Sequence, residues 1–153
     1  MNDTKLANIL IVDDQEYNIS LLERILSRAG FKHLYSTMDP RQIRQLLTEI
    51  DPDIVLLDLH MPGMDGLEVL NLIREHTGAE SYLPVLMLTA DMTSEAKQQG
   101  LQAGVNDFLT KPYDRTEVIL RINNLLKTRQ LHLQLQRHSE TLEEKSPGTD
   151  GRA

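Results

Sequence analysis

Short runs of branched apolar residues alternate along this chain with longer stretches in which apolar positions recur every three or four residues. The first kind predicts strands buried on both faces, the second amphipathic helices. Ala7 to Val12 is the first such run and ends in Asp13-Asp14. Over 16–29, Ile19, Leu22, Ile25, Leu26 and Ala29 mark a helix closed by Gly30. Phe31 to Ser36 predicts a second, more polar strand, suited to a sheet edge. Asp39-Pro40 starts the second helix, acid at the cap and proline at the first helical position, with Ile43, Leu46, Leu47 and Ile50 as its buried stripe. Pro52 ends it.

Ile54 to Leu57 forms the most apolar strand and delivers one carboxylate, Asp58, to its end. Pro62, Gly63 and Gly66 break the backbone before a third helix begins at Leu67, with Leu70, Leu72 and Ile73 on it. Pro84 precedes Val85-Leu86-Met87-Leu88, which delivers Thr89. Thr93 or Ser94 caps a fourth helix that stops at Gly104. Asp107-Phe-Leu-Thr110 is a brief fifth strand, followed at once by Lys111-Pro112. Asp114 and Glu117 bracket a capping-box start to a fifth helix.

Five strand–helix units in succession predict an α/β fold, doubly wound and flavodoxin-like, with a parallel sheet covered on both faces. The polar second strand suits an edge and the apolar first and third suit the centre, consistent with order 2-1-3-4-5. The switch point then falls between strands one and three, and Asp13, Asp14 and Asp58 share one crevice.

Bulk properties narrow the function classes. A length of 153 residues predicts one domain with a modest tail, and 40% hydrophobic residues suffice for a core. A net charge of −7 argues against a nucleic-acid surface, and the absence of cysteine excludes disulfide and thiolate chemistry. No apolar run approaches the ~20 residues that span a bilayer. The start, Met-Asn-Asp-Thr-Lys, lacks a signal-peptide core, so the expected setting is cytoplasmic.

Three carboxylates in one crevice repel unless a cation sits among them. Oxygen-only ligands with room for water suit Mg²⁺, which binds through one or two carboxylates plus phosphate oxygens. Asp13-Asp14 also reads as a plain helix cap, Thr89 as an ordinary β-branched strand residue, and Lys111 as a solvated loop charge. Taken together, a hydroxyl and an ammonium facing a metal and a carboxylate are the parts that hold a phosphoryl group.

Leu10-Ile-Val-Asp-Asp14, Asp58 with Met61-Pro-Gly-Met-Asp-Gly66, Leu88-Thr-Ala90 and Asn106-Asp-Phe-Leu-Thr-Lys-Pro112 resemble the CheY-like receiver domains of two-component response regulators. The resemblance covers about residues 7–126. It implies that Asp58 takes phosphate from a histidine kinase or phosphotransfer protein. It implies that Asp14, Asp58 and the backbone carbonyl of His60 hold Mg²⁺, with Asp13 contributing through water or hydrogen bonding. Lys111 would pair with the phosphoryl group, and its peptide to Pro112 is usually cis in the family. Thr89 and Ala90 would contact the phosphoryl group and Phe108 would change rotamer with Thr89, while His60 and Asp91 would tune the lifetime of the acyl phosphate. Phe108 stands where many relatives have tyrosine, so switching would rest on ring burial alone.

Beyond the fifth helix's expected end near Leu126, the helical pattern continues to Lys145. Leu131, Leu135, His138 and Leu142 follow a four-three-four spacing, read either as a coiled-coil seam for a homodimer or as a solvated extension over 128–145. Residues 146–153 read as a disordered tail. The surface of the fourth helix, fifth strand and fifth helix, with Lys97, Asp107, Arg115 and Arg121, offers a second homodimer face. The segment from Leu120 to Leu131 is similar to linkers preceding HD-GYP cyclic-di-GMP phosphodiesterase domains, so the chain reads as the front of such a regulator or as a free-standing receiver.

Two other functions compete. An aspartyl-phosphate phosphatase of the haloacid-dehalogenase type needs an acid two residues after its nucleophile, where His60 stands. A nucleotide-binding domain needs a glycine-rich loop after strand one, where the sequence is Asp-Asp-Gln-Glu-Tyr-Asn. The resemblance therefore points to a domain that is phosphorylated and read, not an enzyme.

Overall fold

The apolar runs become strands β1 (Asn8–Val12), β2 (His33–Thr37), β3 (Ile54–Asp58), β4 (Val85–Thr89) and β5 (Asp107–Thr110). Between and after them lie helices α1 (Glu16–Arg28), α2 (Ile43–Ile50), α3 (Gly66–Thr77), α4 (Ser94–Ala103) and α5 (Arg115–Lys145). This computed structural model describes residues 4–59, 61, 63, 66–77, 82–90 and 93–145, without the side chains of 96 and 140–145. The strands form one sheet, all pairs parallel, in the order β2-β1-β3-β4-β5. The expected topology is the observed one.

Alternation along the strands sorts the core into two layers. Ile9, Ile11, Ile54, Leu56, Leu86 and Leu88 face α1 and α5. Leu10, Val12, Val55, Leu57, Val85 and Met87 face α2 and α3. Burial on both faces explains why β1, β3 and β4 read as unbroken apolar runs. In β2 only Thr37 is buried, as befits an edge.

Several local expectations shift. β2 begins at His33 rather than Phe31, because Phe31 belongs to the end of α1. Gly30 sits at φ 101°, the Phe31 amide donates to the Leu26 carbonyl at 3.0 Å, and the Phe31 ring joins the α1/α5 core. This is the six-to-one hydrogen bond of a Schellman cap, with its usual apolar contact. α2 stops one residue before Pro52, at Asp51 in the left-handed conformation. In α3 the buried stripe is Val69, Leu70 and Ile73; Leu67 and Leu72 are only half-buried. Asp114 Oδ2 accepts the Glu117 amide at 2.9 Å, one half of the expected capping box at α5.

α5 does not pause near Leu126. It continues as one 31-residue helix across the floor of the sheet, the end opposite Asp58. Arg129 donates from Nε to Asp53 Oδ1 at 3.1 Å and from Nη1 to the Tyr82 carbonyl, and the His132 ring lies 5.4 Å from that of Tyr82. Leu133, off the four-three-four stripe, joins Leu6 and Ala7 around a cavity of about 250 Å³. Leu131 and Leu135 on the stripe are exposed, whereas the side chain of Leu142 lies outside the described residues. Among the described residues no helix is long and apolar enough to cross a membrane.

Candidate functional site

The carboxyl ends of β1, β3, β4 and β5 bring four predicted side chains to one edge of the sheet. Asp13, Asp58 and Thr89 are at most 2% exposed, an unfavourable place for two acids without compensation. Compensation comes from β5. Lys111 Nζ lies 3.1 Å from Asp58 Oδ1 and 3.8 Å from Asp13 Oδ2. The backbone supports that placement: the Lys111 amide donates to the Thr89 carbonyl at 2.9 Å, and the Lys111–Pro112 peptide is cis.

Asp13, Asp14 and Asp58 each offer an oxygen within 4.8 Å of the others. Asp13 does not cap α1, whose N-cap is Gln15 without a side-chain cap bond; its Oδ1 instead accepts the Gln15 amide at 2.9 Å in the turn ahead of the helix. Its other oxygen, Oδ2, is buried without a hydrogen-bond partner among the described residues. A buried, unpartnered carboxylate oxygen beside two further carboxylates, with neither imidazole nor thiolate among them, fits a hard divalent cation such as Mg²⁺.

Thr89 and Phe108 lie toward the opposite layer. Phe108 packs against the α2/α3 core, and Thr89 follows Val85 and Met87 in the alternation. By the same alternation Asp58 belongs with Ile54 and Leu56 on the α1/α5 face, and the predicted switch pair lies on the other. Ala90 and Pro112 are exposed at the rim. His60 and Asp91 lie outside the described residues, as does the 146–153 segment.

A model of the response regulator receiver domain matches residues 9–123, three-quarters of the chain. The chain belongs to the response-regulator receiver family. This receiver is 39% identical over 125 residues to the sensory/regulatory protein RpfC of Xanthomonas campestris, covering 80% of this chain and 17% of that protein. It is 37% identical over 120 residues to protein PetR of Rhodobacter capsulatus, covering 78% and 48%. It thus spans less than half the length of either. Among solved structures, a putative response regulator from Chloroflexus aurantiacus superposes with a TM-score of 0.73 at 34% identity, over 80% of this chain and 98% of that one.

Some contributors were not predicted from the receiver's sequence. Gly66 reads as a loop breaker, yet its role is close approach. A Cβ there would meet the Asp58 carbonyl oxygen at 2.7 Å and Leu59 Cα at 2.8 Å, so glycine alone lets α3 start against the strand that carries the acid. Gly100 plays the same part under Phe108, where a Cβ would meet ring atom Cζ at 2.9 Å. Arg74 ties α3 to the Leu83 and Gly104 carbonyls and to Asn106 Oδ1, and burial holds its guanidinium below its ordinary pKa. Tyr113, the aromatic two residues past Lys111, carries no sequence signal of its own. Its hydroxyl is buried without a partner among the described residues, and burial first, then the charges of Asp13 and Asp58, push the phenol well above its ordinary value.

On the face of α4, β5 and α5, Arg121 donates to Asp107 at 2.8 and 2.9 Å and to Glu117 at 3.1 and 3.2 Å. Those hydrogen bonds, to Asp107 first, raise its pKa. Two of the four charges predicted to self-pair across a dimer are thus already paired within one chain.

Proposed function

We propose that this receiver is the phosphoacceptor of a two-component system and that Asp58 carries the phosphoryl group. The observation that supports this best is the Lys111–Asp58 contact of 3.1 Å in a buried crevice whose neighbouring carboxylate has an oxygen unpartnered among the described residues. In the proposed step an Asp58 oxygen attacks the phosphorus of a phosphohistidine on a sensor histidine kinase or phosphotransfer protein. The P–O bond forms as the P–N bond breaks, and the electron pair returns to the imidazole nitrogen. Little covalent assistance is needed, because such transfer is chiefly positioning and charge neutralisation.

Asp14, Asp58 and the His60 carbonyl would hold Mg²⁺, with Asp13 acting through water or a hydrogen bond. Bound there, the ion neutralises charge on the phosphoryl oxygens. Lys111 would exchange part of its contact with Asp58 for one with the phosphoryl group. The Thr89 hydroxyl and Ala90 would meet the same group, and Phe108 would follow Thr89 by changing rotamer, altering the face of α4, β5 and α5 that a partner or output domain reads. His60 and Asp91 would set the lifetime of the acyl phosphate. In this reading the module is written and read in the cytoplasm, and does not turn over an external substrate.

The receiver proper would span residues 7–127 and the extension 128–145. Exposed Leu131 and Leu135 favour the extension as a homodimer seam or a lead into an output domain, of which the HD-GYP type is one candidate. Sedimentation of the chain against a version ending at Lys127 tests the seam; equal monomer populations would remove it.

The phosphoacceptor test is direct. With Mg²⁺ and acetyl phosphate, mass spectrometry should find a labile adduct of about 80 Da on Asp58. No adduct, or one that persists in Asp58→Asn, would sink the proposal.

A further inference from the structure

Tyr82, in the connection between α3 and β4, is held from two directions. Its carbonyl accepts from Arg129 Nη1 and its ring meets that of His132, both on the extension of α5. Its hydroxyl accepts from Asn106 Nδ2 at 3.2 Å, and Asn106 is the residue just ahead of β5. The Asn106 side chain is pinned. Its Oδ1 takes both the Val85 amide and Arg74 Nη2 at 2.8 Å, which fixes the direction in which Nδ2 donates. Arg74 is held in turn by the Leu83 and Gly104 carbonyls at 2.7 and 2.6 Å.

We infer that Tyr82 and Asn106 form a strut between the seat of the α5 extension and the start of β5, through which a shift of β5 loosens the extension. The inference rests on the proposed switch, in which Phe108, two residues past Asn106, changes rotamer. A side chain pinned by two donors cannot absorb a displacement of its backbone by turning. At 3.2 Å the Asn106–Tyr82 bond stands at the long end of the ordinary range, so a small shift of β5 breaks it. Tyr82 then loses its anchor, and Arg129 loses an acceptor in a fixed place. A rival path runs through the body of α5, whose Arg121 holds Asp107 at 2.8 Å. Tyr82→Phe separates the two, because it removes the hydroxyl acceptor and keeps the carbonyl, the ring and Arg121. Coupling is reciprocal, so it can be read from either end.

The test compares the wild-type chain, Arg129→Ala, Tyr82→Phe and the double variant, each checked for helix content by circular dichroism. Arg129→Ala should move the NMR signals of the Asn106 side-chain amide and of the Asp107 and Phe108 backbone amides. In the Tyr82→Phe background the same replacement should leave them in place. No movement, or equal movement in both backgrounds, overturns the strut, the second result assigning the path to α5. With Mg²⁺ and acetyl phosphate, hydrogen exchange over residues 128–139 should quicken about fivefold or more in the wild type. In Tyr82→Phe it should quicken less than about twofold, although the Asp58 adduct forms in both. An adduct with unchanged exchange, or with an equal rise in both chains, overturns the inference alone. No adduct in the wild type takes down the phosphoacceptor reading and the strut's part in signalling, while the Arg129→Ala shifts still decide the strut itself.

Discussion

Lys111 Nζ sits 3.1 Å from Asp58 Oδ1, joining the end of β5 to the end of β3 across β4. Asp58 is nearly inaccessible, whereas the Lys111 side chain keeps 24% of its exposure. Lys111→Met should therefore destabilise the fold at neutral pH by about 1–3 kcal/mol, less than a fully buried pair would lose. Adding Asp58→Asn should restore most of it, since the stranded charge is then gone. Urea denaturation of the single and double variants checks both; a double variant no more stable than Lys111→Met would show that the contact contributes packing rather than charge.

Gly100 lies under the Phe108 ring, and two effects of Gly100→Ala oppose each other. The added methyl stands 2.9 Å from Cζ and 3.0 Å from Cε1, so the ring must shift. Overpacking of that kind costs about 1 kcal/mol when the neighbour can move, and alanine regains a similar ~1 kcal/mol of helix propensity in α4. Stability should stay nearly level while the ring is displaced. Aromatic NMR resonances of Phe108 should move without phosphorylation. An unmoved ring would mean that α4 itself yields.

Arg129 fastens the extension of α5 to the floor of the sheet through Asp53 and the Tyr82 carbonyl. Arg129→Ala should cost about 1–2 kcal/mol, the range for a half-buried charged hydrogen-bond pair. Amides of residues 128–139 should then exchange faster with solvent, and those of β1 and β3 should not. Unchanged protection of the extension would place its anchorage in Leu126 and Leu133 instead.

Tyr113 gives the fold a pH dependence of known sign. Its folded pKa is raised above the ordinary 10.0, by burial first and by Asp13 and Asp58 next. The unfolded chain therefore releases this proton before the folded one, and stability is whole below about pH 10 and falls as pH rises beyond it. The slope should be at most about 1.4 kcal/mol per pH unit, reduced by the ring's partial exposure. Urea midpoints from pH 9 to 11 should diverge between wild type and Tyr113→Phe, with the wild type losing more.

Much of the architecture was legible because parallel strands buried on both faces must be apolar throughout, and because acids and cations at their ends stand out against such runs. Asp13, Asp58, Thr89 and Lys111 each followed an apolar run and each arrived at the same edge. Less was legible where one residue type serves two purposes. Phe31 suits a strand by propensity but closes α1, because a glycine ahead of it turns the chain and the core has room for its ring. Gly66 and Gly100 look like breakers or poor helix residues, and only the atoms above them show that a methyl group has no space.

By itself, then, the sequence determined the alternation of elements, the edge position of β2 and the four side chains delivered to one rim, since periodicity and strand polarity are local properties. Tertiary structure decided the rest. It brought Lys111 to 3.1 Å from Asp58, left Asp13 and Tyr113 each with an atom unpartnered among the described residues, and laid α5 across the floor through Arg129. Those outcomes depend on distances between residues far apart in the chain, which no local pattern encodes.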